Sequence, residues 1–198
     1  MARKAKRKAY HHGDLRAALL EAAVAEIADK GLHGLSLREC ARRAGVSHAA
    51  PYRHFADKDA LLVAIAEEGF SMLSQAGRAA MEGLDDPRAR LDAYGIAYVR
   101  FAVTYPSHFR VMFTSELDDP DPLARAAGER AFSLLVDSAA AVAGPESAEL
   151  AGVAFWTVPH GLAMLMLDGR MPPEHTATPE AAAALAAQVL GVWRETSR

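Results

Sequence analysis

Three observations in the 198-residue sequence predict an all-α chain of about nine helices. Alanine, leucine, glutamate and arginine are abundant, whereas runs of β-branched residues are scarce. Apolar residues recur at three- and four-residue spacing rather than alternating. The breaks between these runs carry helix punctuation: Ser, Thr or Asp before a run, Gly or Pro after it. Just over half of the residues, 51%, are hydrophobic, enough to build a core.

Residues 1–9 (MARKAKRKA) are basic and lack apolar periodicity, and are expected to form a disordered arm. From Asp14, a cap candidate, Leu15, Leu19, Ala22, Ala23 and Ile27 follow one helix face, and Gly31 ends it. Ser36 and Glu39 have capping-box spacing for a short helix from Leu37 to about Ala44. Gly45 suits the left-handed backbone of a sharp turn. Ser47 is expected to cap another short helix to about Phe55, with Pro51 distorting its start. Two short helices joined by Gly45-Val46-Ser47 match a helix-turn-helix, with Leu37, Val46, Tyr52 and Phe55 as its apolar seam and Ala41 at the close approach.

Asp57 is expected to cap a long helix from Lys58 into the low eighties. Asp86-Pro87 opens a helix to about Tyr105, because proline fits the first helical position. Pro106 starts a short segment through Phe113, and Ser115 to Pro122 reads as a loop. A helix to about Val142 ends at Gly144-Pro145, and another spans about Glu146 to Leu167. Inside it, Pro159 should release the Phe155 carbonyl and kink the chain. After a loop from Asp168 to Ala177, Thr178-Pro179-Glu180 opens a last helix to about Arg194.

Charge divides the chain. Residues 1–58 hold 12 Lys+Arg against 6 Asp+Glu, and the remainder 10 against 19. A basic end on an acidic body suits a surface that meets phosphates, although a solubilising tail has the same charge. The single cysteine, Cys40, fits a reducing compartment. No apolar leader core follows the basic start, and no run of about eighteen uninterrupted apolar residues occurs. Cytoplasmic localisation without a membrane partner is the expectation.

The segment from Gly31 to Leu62 (GLHGLSLRECARRAGVSHAAPYRHFADKDALL) resembles the tetracycline-repressor (TetR-type) regulators over its whole length. Gly45-Val46-Ser47, Tyr52, His54, Phe55, Lys58 and Leu61 fall at that family's spacing, and the start Tyr10-His-His-Gly-Asp-Leu-Arg16 is similar to one common in part of it. Further on, Trp156 with His160-Gly161, and Tyr105 to Phe113, resemble the subgroup with a Trp…His-Gly signature. The resemblance implies an N-terminal three-helix DNA-binding domain (10–70) and a C-terminal helical domain for effector binding and dimerisation (71–198). It implies a regulator, most simply a repressor, that binds palindromic operator DNA as a homodimer and is released by a small molecule. A regulator without such a ligand, and an activator, stay open as alternatives.

In a helix-turn-helix the second helix enters the major groove by its N-terminal end, which puts Ser47, His48 and Ala49 nearest the base edges. The resemblance assigns Tyr52, His54 and Lys58 to phosphates. Arg38, Arg42, Arg43 and Arg53 are further phosphate candidates, with a solvated basic face as the bland alternative. The arm could enter a minor groove or be held only diffusely. The resemblance places the effector pocket among Tyr98, Phe101, Tyr105, Phe109, Met112, Phe113, Trp156, His160 and Met164, although any one of these is an ordinary core residue in isolation. It places the dimer face on the last two helices, through Val153, Leu162, Leu165, Leu185, Val189, Val192 and Trp193. No phosphate-cradling glycine loop, G-x-S-x-G elbow or H-E-x-x-H occurs, so enzymatic function is not expected. The eight histidines form no tight ligand pair at helical spacing, so neither a metal sensor nor any cofactor is expected.

Overall fold

The computed structural model describes residues 12–113 and 122–196, apart from the side chains of 12–14 and 193–196. The basic arm and the loop from Ser115 to Asp121 fall outside what is described, whereas Asp14 lies inside the first helix, which begins at His12, and so does not cap its start. Eight α-helices, four short 3-10 segments and no strand make up the described residues. The helices are α1 (His12–Lys30), α2 (Leu37–Arg43), α3 (Lys58–Met81), α4 (Pro87–Thr104), α5 (Pro106–Met112), α6 (Pro122–Ala143), α7 (Ala148–Leu167) and α8 (Pro179–Thr196). The chain divides into two compact units, one closing at Ala64 and the other opening at Ile65. This division and the expected boundary at residue 70 both fall inside α3.

In the first unit α1 packs on α2. Gly31 ends α1 at φ 73°, its N–H donating to the Ile27 carbonyl. Ser36 caps α2, its Oγ accepting from the Glu39 amide at 3.2 Å. The Glu39 carboxylate does not complete the box; it turns to Arg42. Leu19, Ala23, Cys40, Ala41 and Phe55 are buried together with a fully buried carboxylate, Glu26. That charge is held from two elements: Lys30 Nζ lies 2.5 Å from Oε1, and Arg43 Nε donates to Oε2 at 2.6 Å. Arg43 also reaches Asp29. The network pins α2 to α1.

The expected second helix of the turn motif takes another form. Only Pro51–Arg53 is helical, and it is a 3-10 turn. Pro51 has no N–H, so no bond can run from it to the Ser47 carbonyl. Ala50 donates there instead, one residue early, and Arg53 and His54 continue the three-residue pattern. A second correction concerns the seam: Tyr52 is exposed, and Pro51 with Phe55 provides the buried contacts of this segment.

In the second unit α4 packs along both α7 and α8, and α6 lies along α7. Asp86 caps α4 by accepting from the Arg88 and Ala89 amides, with Pro87 at the first position. α7 runs on through the buried Pro159, which faces Gly95 of α4. One buried cluster gathers Leu73, Met81, Leu91, Tyr94, Tyr98, Phe101, Phe109, Met112 and Leu135. A second joins Val99 to Leu162, Met166, Ala182 and Ala186.

Candidate nucleic-acid interface and effector cavity

The turn motif presents its polar side chains on one short stretch. Gly45 takes φ 68°, a region open to glycine, and this lets the Val46 amide bond back to the Ala41 carbonyl. Beyond the turn Ser47, His48, Ala49, Tyr52 and Arg53 are exposed, while Pro51 and Phe55 anchor the stretch from beneath. Tyr52 leaves 59% of its surface open, unusual for a tyrosine beside a core. His54 is half-buried against Phe55, over which Arg16 also stacks at 5.5 Å. Lys58 stands half-exposed at the start of α3, whose first turn is capped by Asp57 through the Ala60 amide at 2.8 Å.

The four arginines divide by partner. Arg43 is committed to Glu26 and Asp29, and Arg42 to Glu39. Arg38 is exposed on α2 and Arg53 on the reading stretch. Sequence reasoning could not separate these pairs, because the acids that neutralise Arg43 lie 14 and 17 residues upstream. Burial pushes the Cys40 thiol up to about 11, so it stays protonated and behaves as a small apolar group.

Within the second unit, an apolar cavity of about 280 Å³ opens among α3, α4, α6 and α7. Tyr98, Phe113 and Trp156 line it, as do Phe70 and Leu73 of α3, Tyr94 of α4, and Gly128, Ala131, Phe132 and Leu135 of α6. Gly77 makes room for the Tyr94 ring: a Cβ there would sit 2.5 Å from the ring edge. The hydroxyls of both lining tyrosines and the indole N–H of Trp156 are hydrogen-bonded. Trp156 Nε1–H donates to Tyr98 Oη at 3.1 Å, and Tyr98 Oη lies 2.8 Å from His160 Nδ1. Tyr94 Oη donates to the Ala131 carbonyl at 3.4 Å. Burial raises the Tyr94 hydroxyl to about 12 and drives Tyr98 higher, so both stay neutral. Burial lowers His160, which favours neutral imidazole.

The other expected pocket residues do not line this cavity. His160 stands behind Tyr98, its ring 4.8 Å from that of Phe113 and 4.9 Å from that of Trp156. Phe109 is wholly buried, edge-on to Tyr98. Met112 packs where α5 meets Gly69 of α3. Phe101 and Tyr105 line a second, more open hollow of about 710 Å³, flanked by the Arg100–Glu180 ion pair at 3.0 Å. Met164 is exposed on α7. The α6 wall was missed because its alanine and glycine positions read as ordinary helix; Phe132 was its one aromatic signal.

On α7, Leu150, Val153, Gly161, Met164 and Leu165 are exposed at spacings that fall on one helix face. Residues 145–167 are long and apolar enough to cross a membrane by length and composition alone, and 28% of their most apolar stretch is buried. Val192 of α8 is exposed, and Leu185 and Val189 are half-buried. Leu162 differs from its expected place: it is buried inside the unit against Val99, Met166 and Ala182. The Trp193 side chain lies outside those described. Among the described residues, no three His, Cys, Asp or Glu side chains gather as a metal site.

Comparison with known proteins adds descent to this geometry. Residues 19–65 match the family described as bacterial regulatory proteins, tetR family, and residues 91–190 match the tetracyclin repressor-like C-terminal domain. An uncharacterized HTH-type transcriptional regulator of Haemophilus influenzae is 32% identical over 126 residues, 63% of this chain and 61% of that protein, so the match spans less than two thirds of the curated relative. A solved protein of unknown function from Rhodococcus sp. RHA1 is 34% identical with TM-score 0.75, covering 93% of this chain and 97% of its own. A bacterial regulatory protein of the tetR family from Rhodococcus RHA1 is 27% identical with TM-score 0.64, over 89% of this chain and 96% of its own. With both halves of the chain matched and the turn motif and helical second unit in place, the protein belongs to the tetR family of bacterial regulatory proteins.

Proposed function

We propose that the protein is a dimeric, ligand-responsive repressor. Its reading stretch, Ser47 to Arg53, enters the major groove of operator DNA, with Ser47, His48 and Ala49 toward base edges and Tyr52, His54 and Lys58 on phosphates. Arg38 and Arg53 add positive charge to the same surface. The observation that carries this reading is the exposure of Tyr52 and its polar neighbours immediately after the Gly45 turn, inside the segment matched to the tetR family. A phosphate-facing role accounts for an aromatic residue that contributes nothing to the core.

The exposed apolar faces of α7 and α8, with Val153, Leu165 and Val192 at their centre, meet a second copy of the chain. Leu185, Val189 and Trp193 flank that face. A two-fold dimer then reads two half-sites about one DNA turn apart. A small molecule held in the cavity of about 280 Å³ favours a state with lower DNA affinity.

Selection of genomic fragments at fixed salt, followed by footprinting, tests the reading. The expected result is a protected inverted repeat, lost in Tyr52→Ala or Lys58→Ala protein that still melts cooperatively. Enrichment of no fragment above the salt-sensitive background would overturn it.

A further inference from the structure

Resting on the proposal that this cavity is the effector site, we infer that its ligand is an uncharged, ring-sized apolar molecule carrying one hydrogen-bond donor, which is received by the Tyr98 hydroxyl oxygen. Size comes first. A cavity of about 150 Å³ holds one benzene, so about 280 Å³ suits two fused rings. Charge comes second. Among the described residues the ten that line it are Phe, Leu, Tyr, Gly, Ala and Trp, with no ionisable acid or base other than the two neutral tyrosines. A carboxylate or ammonium brought there would lose its water without gaining a counter-charge.

The donor follows from counting protons and lone pairs. The Trp156 indole N–H can only donate, so Tyr98 Oη spends one lone pair on it. Between Tyr98 and His160 a single proton is shared across 2.8 Å. If His160 Nδ1 donated it, the Tyr98 O–H would be left without an acceptor in an apolar wall, an expensive arrangement. Tyr98 therefore donates to a neutral His160 protonated at Nε2. That leaves on Tyr98 Oη the weaker, ring-conjugated lone pair, and no donor meets it among the described residues. A ligand hydroxyl or N–H supplies that donor without breaking either existing bond, whereas a ligand carbonyl must displace one.

Calorimetry on the full chain at pH 7.5 tests this with four naphthalene probes that share one ring system: 2-naphthol, 2-methoxynaphthalene, 2-naphthoate and 2-naphthylmethylammonium. The expected order puts 2-naphthol roughly fivefold tighter than its methyl ether, the factor of one net hydrogen bond, with the two ions weaker than both. Tyr98→Phe keeps the ring and should erase the difference between naphthol and ether; His160→Gln offers Tyr98 an alternative acceptor and should retain it. Equal affinity for naphthol and ether, an ion binding as tightly as naphthol, or no binding of naphthol would each overturn the inference. Release of the selected DNA fragment is measured alongside. Naphthol that binds in the expected order without releasing DNA supports the ligand class and refutes the effector role. Naphthoate that binds best and releases DNA does the reverse.

Discussion

At the scale of single residues, neighbouring positions hold opposite fates. Pro51 is buried and Tyr52 is open; Arg43 is tied down and Arg38 projects. Residue type was legible in the sequence, partner was not, because a partner is a tertiary fact. Lys58→Ala should lower affinity for every DNA sequence alike and reduce the salt slope by about one, measured by fluorescence anisotropy across a salt series. Ser47→Ala should instead relax preference at one base position. Arg43→Ala should lower the melting temperature more than Arg42→Ala, since of these two arginines Arg43 alone joins Lys30 in compensating the fully buried Glu26 carboxylate; equal melting temperatures would contradict that role for Arg43. His160 has a folded pKa below its ordinary 6.5. The unfolded chain therefore binds the proton first, so this contribution to stability is complete above about pH 6.5 and declines as the pH falls through that value and toward the lowered folded pKa. Thermal melts from pH 7.5 to 5 should show a steeper loss in the wild type than in His160→Gln.

At the scale of elements, the helices were legible where a cap and a period agreed. Asp86-Pro87, Ser36, Asp57 and Gly31 fixed four boundaries to within a residue or so. The reading stretch was harder, because Ser47 signals a helix start while Pro51 withdraws the donor that would complete its first turn. The cavity was legible only from its α4 and α7 sides and from the end of α5, through Tyr98, Trp156 and Phe113. Its α3 and α6 walls depend on small residues admitting large ones from elsewhere, as Gly77 admits Tyr94. Gly69 makes a similar allowance between α3 and α5: a Cβ there would lie 2.6 Å from Met112 Sδ and 3.3 Å from His108 Cβ. Gly69→Ala gains helix propensity yet overpacks this contact, and a net loss of about 1–3 kcal/mol is expected in urea unfolding. A stabilised variant would mean that α5 yields freely.

At the scale of the whole molecule, the two exposed apolar faces and the open reading stretch make separate demands on one chain. Leu165→Asp combined with Val192→Asp should shift the protein to monomer in light scattering at micromolar concentration while leaving helical circular dichroism intact. Unchanged mass would place the assembly surface elsewhere. The division of the chain at residue 64 carries a practical consequence as well. Its two flanking residues, Ala64 and Ile65, are buried in the first third of the 24-residue α3. Proteases cut segments that can be drawn out into extended form, and this junction offers none, so limited digestion should not yield the two units as separate fragments. The same continuity governs grafting. A reading unit taken from another protein must be spliced inside a helix, where each residue added or removed turns everything beyond it by about 100°.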